Sequence, residues 1–457
     1  MDYKQIMKGV WADVQKLIPE HIERLAWSRE QVRDYQTKAL RELLTAAKEN
    51  TKYYGEVLKS VDIENFNLED LSSLPPHDKI VHMDRWDDFI AAPGITYDIA
   101  EKHLEDVRSG SITNPFYNNQ YLFVATGGST GKRGLFVWDL EFIRQIICYS
   151  YRYLINDEQK NGYDGPMKLA TVEAPTLLHG SPYVFPSKPL AQIELLSLAS
   201  TDPIPQVCEK LNEFQPTYLM AYASSVGELA SAQLKGELDI HPRWVCTNSG
   251  PQDDDIRKRS MRAWGVKASN SWGCVEIGQM AVETEHSPGM VICSDGAILE
   301  VVDHNNQPVS KVEDAAKVLA TNLTNKTLPM IRYEVDDIIE IGGSLPEYPG
   351  YDTVKRIVGK ATNWFLYNGV KVHPTSFSNI LEEEKEVEEF QIVQSEEGAH
   401  IKLVCSGEPN IREMKDTILK NLHKYGLTNP KVSFEVIDSL PHHPETGKVK
   451  RFIALEK

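Results

Sequence analysis

The sequence predicts an α/β protein with a large composite N-terminal domain, made of sheets with flanking helices plus a barrel-like β subregion, and a small α+β C-terminal lid domain. Three observations lead there. The chain has 457 residues, more than the ~250–300 at which one hydrophobic core stops growing. Between about 121 and 360, short apolar runs alternate with helical stretches, the pattern of a sheet with helices on its faces. After Gly359 the pattern changes to FQIVQSE, HIKLVCSG, a helical IREMKDTILKNLHKYG and a closing KVSFEVI, which reads as one helix on a small sheet. The domains are therefore drawn as 1–358 and 359–457.

Each element has its own signal. Ser28 to Lys59 is rich in helix formers, with Leu40, Leu43 and Leu44 on one stripe, and predicts one or two amphipathic helices. FNLEDLSSLPPHDK (66–79) is broken by Pro75 and Pro76 and reads as a loop before another helix. YLFVA, KLATVEA, TYLMAYA and RWVCTNSG are strands, and DLEFIRQIICYSYRYLI, PIPQVCEKLNEF and SVGELASAQLKG are the helices between them. After 290, the runs VICS, AILEVVD, KVLATNL and IRYEVDDIIEI are mostly extended, which predicts an antiparallel or barrel-like region. In the lid, Ile411, Met414, Ile418 and Leu422 recur at helical spacing and Gly426 is placed to end the helix. The acidic run EEEKEVEE (382–389) reads as a solvated helix face.

The formal net charge of −17 opposes non-specific attraction to nucleic acid or to an anionic membrane, so the expected partner is small. Six cysteines lie far apart with no C-x-x-C pair, which fits reduced thiols in the cytoplasm better than a disulfide frame or a thiolate metal cage. No run approaches the ~20 apolar residues of a membrane span, and the first residues do not form a signal peptide.

YLFVATGGSTGKRGLF (121–136) places a glycine loop directly after an apolar strand. It is not a P-loop, since only Gly128, Ser129 and Thr130 separate Gly127 from Gly131, and Arg133 follows Lys132. It also lacks the G-x-G that opens a dinucleotide fingerprint. Its glycines, hydroxyls and lysine still offer amides and donors suited to an oxyanion such as phosphate.

Four further stretches accompany the loop: SWGCVEIGQ (271–279), LPMIRYEVDDI (328–338), KRIVGKATNWFLYNGVKVHP (355–374) and LPHHPETGKVKRF (440–452). In that order, together with ENTKYYGEVL, SLPPHDK and EFQPTYLMAYASSVGELA, they resemble the adenylate-forming superfamily of acyl-CoA synthetases. The likeness is to its phenylacetate-CoA ligase, coenzyme F390 synthetase and capsule-biosynthesis branch, and it extends over nearly the whole chain. The resemblance implies ATP and Mg²⁺ as cofactors and coenzyme A or phosphopantetheine as acyl acceptor.

It also implies roles for residues. Thr126, Gly127, Gly128, Ser129, Thr130, Gly131 and Lys132 would surround the β- and γ-phosphates. Glu276 would help hold Mg²⁺, Trp272 and Gly273 would lie against the adenine with Ser249, Gly250 and Pro251 on its other side, and Asp337 would receive the ribose hydroxyls. Lys448 would be the catalytic lysine that the lid brings to the α-phosphate, with Lys360, itself near the nucleotide, and Thr362 at the hinge. His179, Tyr183 and Tyr222 are candidates for lining the acid pocket.

Some positions depart from the family. Arg133 replaces a proline, Val275 a hydroxyl residue and Asp336 a glycine, and the hinge GKATN lacks the usual carboxylates. Zinc is not expected, because His286 and Cys293 fall short of the four ligands of a structural site. The resemblance implies adenylation of a small carboxylic acid, aryl or short acyl, with transfer to a thiol, for which an acyl carrier protein is a further partner. Transfer to an amine, AMP left on the acceptor, and a degenerate nucleotide-binding scaffold stay open, as does a homodimer.

Overall fold

Local capping sets the first helices. The computed structural model describes residues 2–126, 134–162, 167–174, 193–248, 254–284, 287–360, 365–372, 374–442 and 449–455. Asp2 caps the helix Tyr3–Arg24 by accepting from the Lys4 amide, and Ile6, Val10, Trp11, Val14 and Ile18 form its buried stripe. Ser28 and Gln31 make a reciprocal capping box for Arg29–Asn50, which buries Leu40, Leu43 and Leu44 as their spacing predicts. Thr51 then caps Lys52–Val57. The 66–79 segment is more ordered than a loop. Asp70 accepts from the Asn67 amide at 2.8 Å and closes a short 3₁₀ turn, Leu68–Ser73, before Asp78 caps Lys79–Asp84.

Strands β1 (Phe116–Tyr117), β2 (Tyr121–Ala125) and β3 (Leu135–Asp139) form an antiparallel sheet. The helix Leu140–Asn161 leads on to β4 (Met167–Glu173), β5 (Ile193–Ala199), β6 (Tyr218–Tyr222), β7 (Trp244–Asn248), β8 (Ser269–Cys274), β9 (Gly278–Glu283) and β10 (Met290–Ile292). After β11 (Ala297–Val302), β12 (Lys317–Asn322) and β13 (Tyr333–Val335), which form a three-stranded antiparallel sheet, β14 (Asp337–Gly342) and β15 (Thr353–Lys360) complete a nine-stranded one. Its order is β14-β15-β10-β9-β8-β7-β6-β4-β5, parallel from β5 to β8 and antiparallel beyond.

Both faces of the parallel half are covered. Leu169, Tyr218, Met220 and Cys246 pack against Tyr3–Arg24 and Leu140–Asn161, while Ala170, Val172, Leu219 and Val245 pack against the helices Ile204–Phe214 and Ala223–Lys235. That two-sided burial explains why these strands read as continuous apolar runs.

The C-terminal region comprises β16 (Phe365–Tyr367), β17 (Val370–Val372), the helix Thr375–Glu383, β18 (Val387–Ser395), β19 (Gly398–Cys405), the helix Ile411–Lys424, β20 (Lys431–Val436) and β21 (Phe452–Ile453). Met414, Ile418 and Leu422 pack with Ile392, Ile401 and Leu403 into a core of their own, and Gly426 at φ 92° follows the helix end. The acidic run is not a solvated helix face. The helix stops at Glu383, the chain turns extended at Glu384, and Val387 begins β18, with a register shift between Val387 and Glu389. Glu389 is 7% exposed, because Arg259 donates to the neighbouring Glu388 carbonyl and the Glu389 carboxylate lies against Gly227 of the large domain.

A fully buried ion pair joins the elements of the large domain. Arg152 on Leu140–Asn161 donates to both carboxylate oxygens of Asp295, at 2.7 and 2.8 Å, and Arg24 approaches the same carboxylate at 3.7 Å. Burial opposes ionisation of Asp295, but the Arg152 charge outweighs it and holds the carboxyl below its usual range. Asp295→Ala should cost about 3–5 kcal/mol in equilibrium chemical unfolding by stranding Arg152, whereas the paired Arg152→Met/Asp295→Leu variant should lose distinctly less.

Candidate active site

The site is built at the carboxyl ends of the parallel strands, where the row Tyr222, Asn248, Ser271 runs across β6, β7 and β8 in register. Ligands of open α/β sheets bind at such ends. Gly127 to Lys132, Ser249, Gly250, Pro251, His179, Tyr183, His286, Thr362, Lys448 and the side chain of Lys360 lie outside the described residues. The geometry therefore rests on Thr126, Trp272, Gly273, Glu276, Asp337 and Tyr222.

Thr126 stands where β2 runs into the glycine loop. Its amide donates to the Gly134 carbonyl at 2.9 Å and its Oγ1 accepts from the Gly134 amide at 3.1 Å, so the two ends of the loop are tied together. Gly134 is required by this approach, since a Cβ there would lie 2.7 Å from Thr126 Oγ1. Lys79 Nζ also donates to Thr126 Oγ1, at 3.2 Å, placing a cation at the root of the loop. This contact was not legible beforehand: SLPPHDK carries the lysine, but nothing local in it marks a partner 47 residues away.

Glu276 sits at the tip of the β8–β9 hairpin. Gly278 turns the chain with φ 84°, and Gly273 packs so closely that a Cβ would meet the Gly278 carbonyl at 2.5 Å. Trp138 Nε1 donates to the Val275 carbonyl at 2.9 Å and Asn322 Nδ2 to the Ile277 carbonyl at 2.8 Å, so both neighbours of Glu276 are pinned. Tyr333 Oη donates to Glu276 Oε1 at 3.3 Å. Burial raises the Glu276 pKa, while the Cys274 thiol, Lys79 and Tyr333 favour its charged form.

Behind this carboxylate lies a second feature with no sequence signal. The His77 and His82 rings are buried 6.0 Å apart among Phe89 and Tyr333. Burial pushes His77 down to about 4 and His82 well below its usual value, so both are neutral near pH 7.

Trp272 is a core residue, 6% exposed, and its Nε1 donates to Asp337 Oδ2 at 2.9 Å. The structure thus brings the two together, and Asp337 pairs with Lys360 across β14 and β15. Tyr222 is also buried, its hydroxyl accepting from the Ala174 amide at 3.0 Å, and Asn248 donates beside it to Glu173. Among the described residues, no three His, Cys, Asp or Glu side chains cluster as a protein-only metal cage would require. Glu276 does suit the looser mode in which Mg²⁺ takes one or two carboxylates plus phosphate oxygens, because its buried carboxylate is the kind of charge a divalent cation stabilises.

Residues 366–454 match the CapK C-terminal domain family. The chain is 25% identical to protein CapK of Staphylococcus aureus over 439 residues, covering 92% of this chain and 88% of that one. It is 24% identical to the phenylacetate-coenzyme A ligase of Thermus thermophilus over 278 residues, 54% of this chain and 62% of the ligase. Among solved structures, 2-hydroxyisobutyryl-CoA ligase in its postadenylation state superposes with a TM-score of 0.69 at 15% identity, over 95% of this chain and 91% of that one. The chain therefore has the fold of the adenylate-forming enzymes, and its homologues are CapK and the phenylacetate-coenzyme A ligases.

Proposed function

We propose that the chain is an ATP-dependent ligase that adenylates a carboxylic acid, aryl or short acyl, and passes the acyl group to coenzyme A or to phosphopantetheine on a carrier protein. The observation that supports it best is the hydrogen-bonded set at the strand ends: Lys79 with Thr126, Tyr333 with Glu276, and Trp272 with Asp337. In the first half-reaction a carboxylate oxygen attacks the α-phosphorus of ATP, and pyrophosphate leaves with the electron pair of the broken P–O bond. In the second, a thiol sulfur gives up its proton and attacks the acyl carbon, and AMP departs with the bridging oxygen. Splitting the reaction gives the acid a leaving group better than oxide.

The residues divide the work. Thr126 to Lys132, with Lys79, would hold the β- and γ-phosphates, and Asp337 would accept from the ribose, with Lys360 nearby and Trp272, Gly273 and Ser249 to Pro251 about the base. Glu276 is the residue that would ligate Mg²⁺, which neutralises phosphate charge when bound. Lys448 would stabilise charge developing at the α-phosphate. His179, Tyr183 and Tyr222 would border the acid, and Lys360 and Thr362 would form the hinge. A second reading keeps adenylation but uses an amine as acceptor. It is motivated by the hinge sequence GKATN, which lacks the carboxylates usual in the family.

Exchange of labelled pyrophosphate into ATP tests adenylation without knowledge of the acceptor. Over a panel including phenylacetate and 2-hydroxyisobutyrate, at least one acid should support exchange, and Lys448→Ala should lower it by ~10²-fold or more. ATP binding without exchange by any acid would reject the reading.

Glu276 gives a second expectation. Because burial raises its folded-state pKa, its contribution to stability is full below the ordinary glutamate value and is lost as pH rises through the folded value. Glu276→Gln should therefore unfold at a temperature equal to or above that of the parent at neutral pH, with the gap closing towards about pH 4, while pyrophosphate exchange falls at every pH.

A further inference from the structure

One cluster of polar side chains at the strand ends has no part in holding the nucleotide. Leu169, Tyr218, Met220 and Cys246 face the helices Tyr3–Arg24 and Leu140–Asn161, and the two-residue period of a strand carries Glu173, Tyr222 and Asn248 to that same face. These three close β4, β6 and β7 as neighbours: Tyr222 pairs with Asn248, and Glu173 follows the step at which Val172 pairs with Ala221. On the covering helix, Tyr151 is 2% exposed and its ring meets Trp11 edge-on. Glu173, also buried, accepts from Asn248 Nδ2.

Two atoms here lack what burial demands. The Asn248 amide nitrogen serves Glu173, so its Oδ1 is left as an acceptor for another group. Among the described residues no group donates to that oxygen and none bonds the Tyr151 hydroxyl, although both atoms are buried. Burial, then the proximity of Glu173 and Cys246, pushes the Tyr151 hydroxyl well above its usual value, so it keeps its proton and stays a donor. The next member of the row is satisfied. Ser271 donates to Gln279 Oε1 at 3.0 Å, as Ser150 does at 3.2 Å, and Gln279 donates in turn to the Trp272 and Ala281 carbonyls. Buried polar atoms are nearly always paired. An amide oxygen and a hydroxyl left open beside a carboxylate, at strand ends where ligands of open sheets bind, are therefore suited to a polar ligand.

We propose that Glu173, Asn248 and Tyr151 read the acyl chain of the acid, and that this acid carries a hydrogen-bond donor, a hydroxyl or an ammonium group. The proposal rests on the adenylating function above. The donor meets Asn248 Oδ1 and Glu173, and the oxygen of a hydroxyl accepts from Tyr151. An acid with the same skeleton and no donor presses hydrocarbon against all three, and a site built to hydrogen-bond rejects such an analogue strongly. Glu173 separates the two donors, because an ammonium needs its charge whereas a hydroxyl needs only an acceptor.

Pyrophosphate exchange by the full chain is measured with three matched sets of acids: propionate, lactate and alanine; butyrate, 3-hydroxybutyrate and 3-aminobutyrate; phenylacetate, mandelate and phenylglycine. In at least one set a donor-bearing acid should exceed its plain counterpart by about 10²-fold or more in kcat/KM. Asn248→Leu, and for a hydroxy acid Tyr151→Phe, should each cut that preference at least about tenfold through the KM for the acid, with the KM for ATP within about twofold of the parent. Glu173→Gln should keep a preference for a hydroxy acid within about threefold and lower one for an amino acid at least about tenfold. Tyr151→Phe should also unfold at or above the temperature of the parent, since it removes a buried hydroxyl that no described residue bonds. A plain acid preferred in every set, or variants that lower both members of a set equally, would overturn the proposal. If no acid supports exchange in the parent, adenylation fails by itself, and calorimetric titration of the same acids decides the site. Binding of a donor-bearing acid that Asn248→Leu abolishes sustains it, and the absence of such binding rejects it.

Discussion

The burial of both faces of the parallel strands is the constraint on which the rest depends. With helices on each side, β4, β6 and β7 cannot expose functional side chains along their length, so chemistry is confined to where the strands stop. Tyr222 and Asn248 are last residues of their strands, and Glu276 and Asp337 flank the same edge from the antiparallel side. The antiparallel extension brings Asp337 and its partner Trp272 into reach of loops that leave the parallel half.

At that edge the polar groups are held by other residues. Glu276 is a raised-pKa carboxylate between Tyr333 and the charge of Lys79, and its hairpin is pinned through the Trp138 and Asn322 side chains. Holding a carboxylate there works against stability and favours a site that meets a cation, the usual conflict between a stable fold and a preorganised one. The neutral His77 and His82 keep the interior behind it free of competing positive charge.

Elements with strong periodicity were legible in the sequence. Leu40, Leu43 and Leu44, the Met414–Ile418–Leu422 stripe and the apolar strands form the cores that their spacing implies. Glu276, Trp272 and Asp337 stand out in the sequence by motif alone, and the structure joins Trp272 to Asp337 by a hydrogen bond. What was not legible depends on distant partners. Lys79 gains its meaning from Thr126, and Tyr333 from Glu276, 57 positions away. The acidic run misled because composition alone suggests solvent, whereas a strand start and a facing arginine bury Glu389.

The ties at the chain's beginning bear on how the molecule is assembled. Tyr351 Oη donates to the Arg24 carbonyl at 2.9 Å, Arg29 pairs with Asp352 at 2.6 Å, and Arg24 reaches Asp295. Although Trp11 meets Tyr151 much earlier in the chain, the first helices thus complete these ties only after some 350 residues have left the ribosome. Domains made from such distant pairings fold slowly and expose their apolar stripes meanwhile. The N-terminal helices therefore make their last ties, to Asp295, Tyr351 and Asp352, only when most of the large domain has been synthesised.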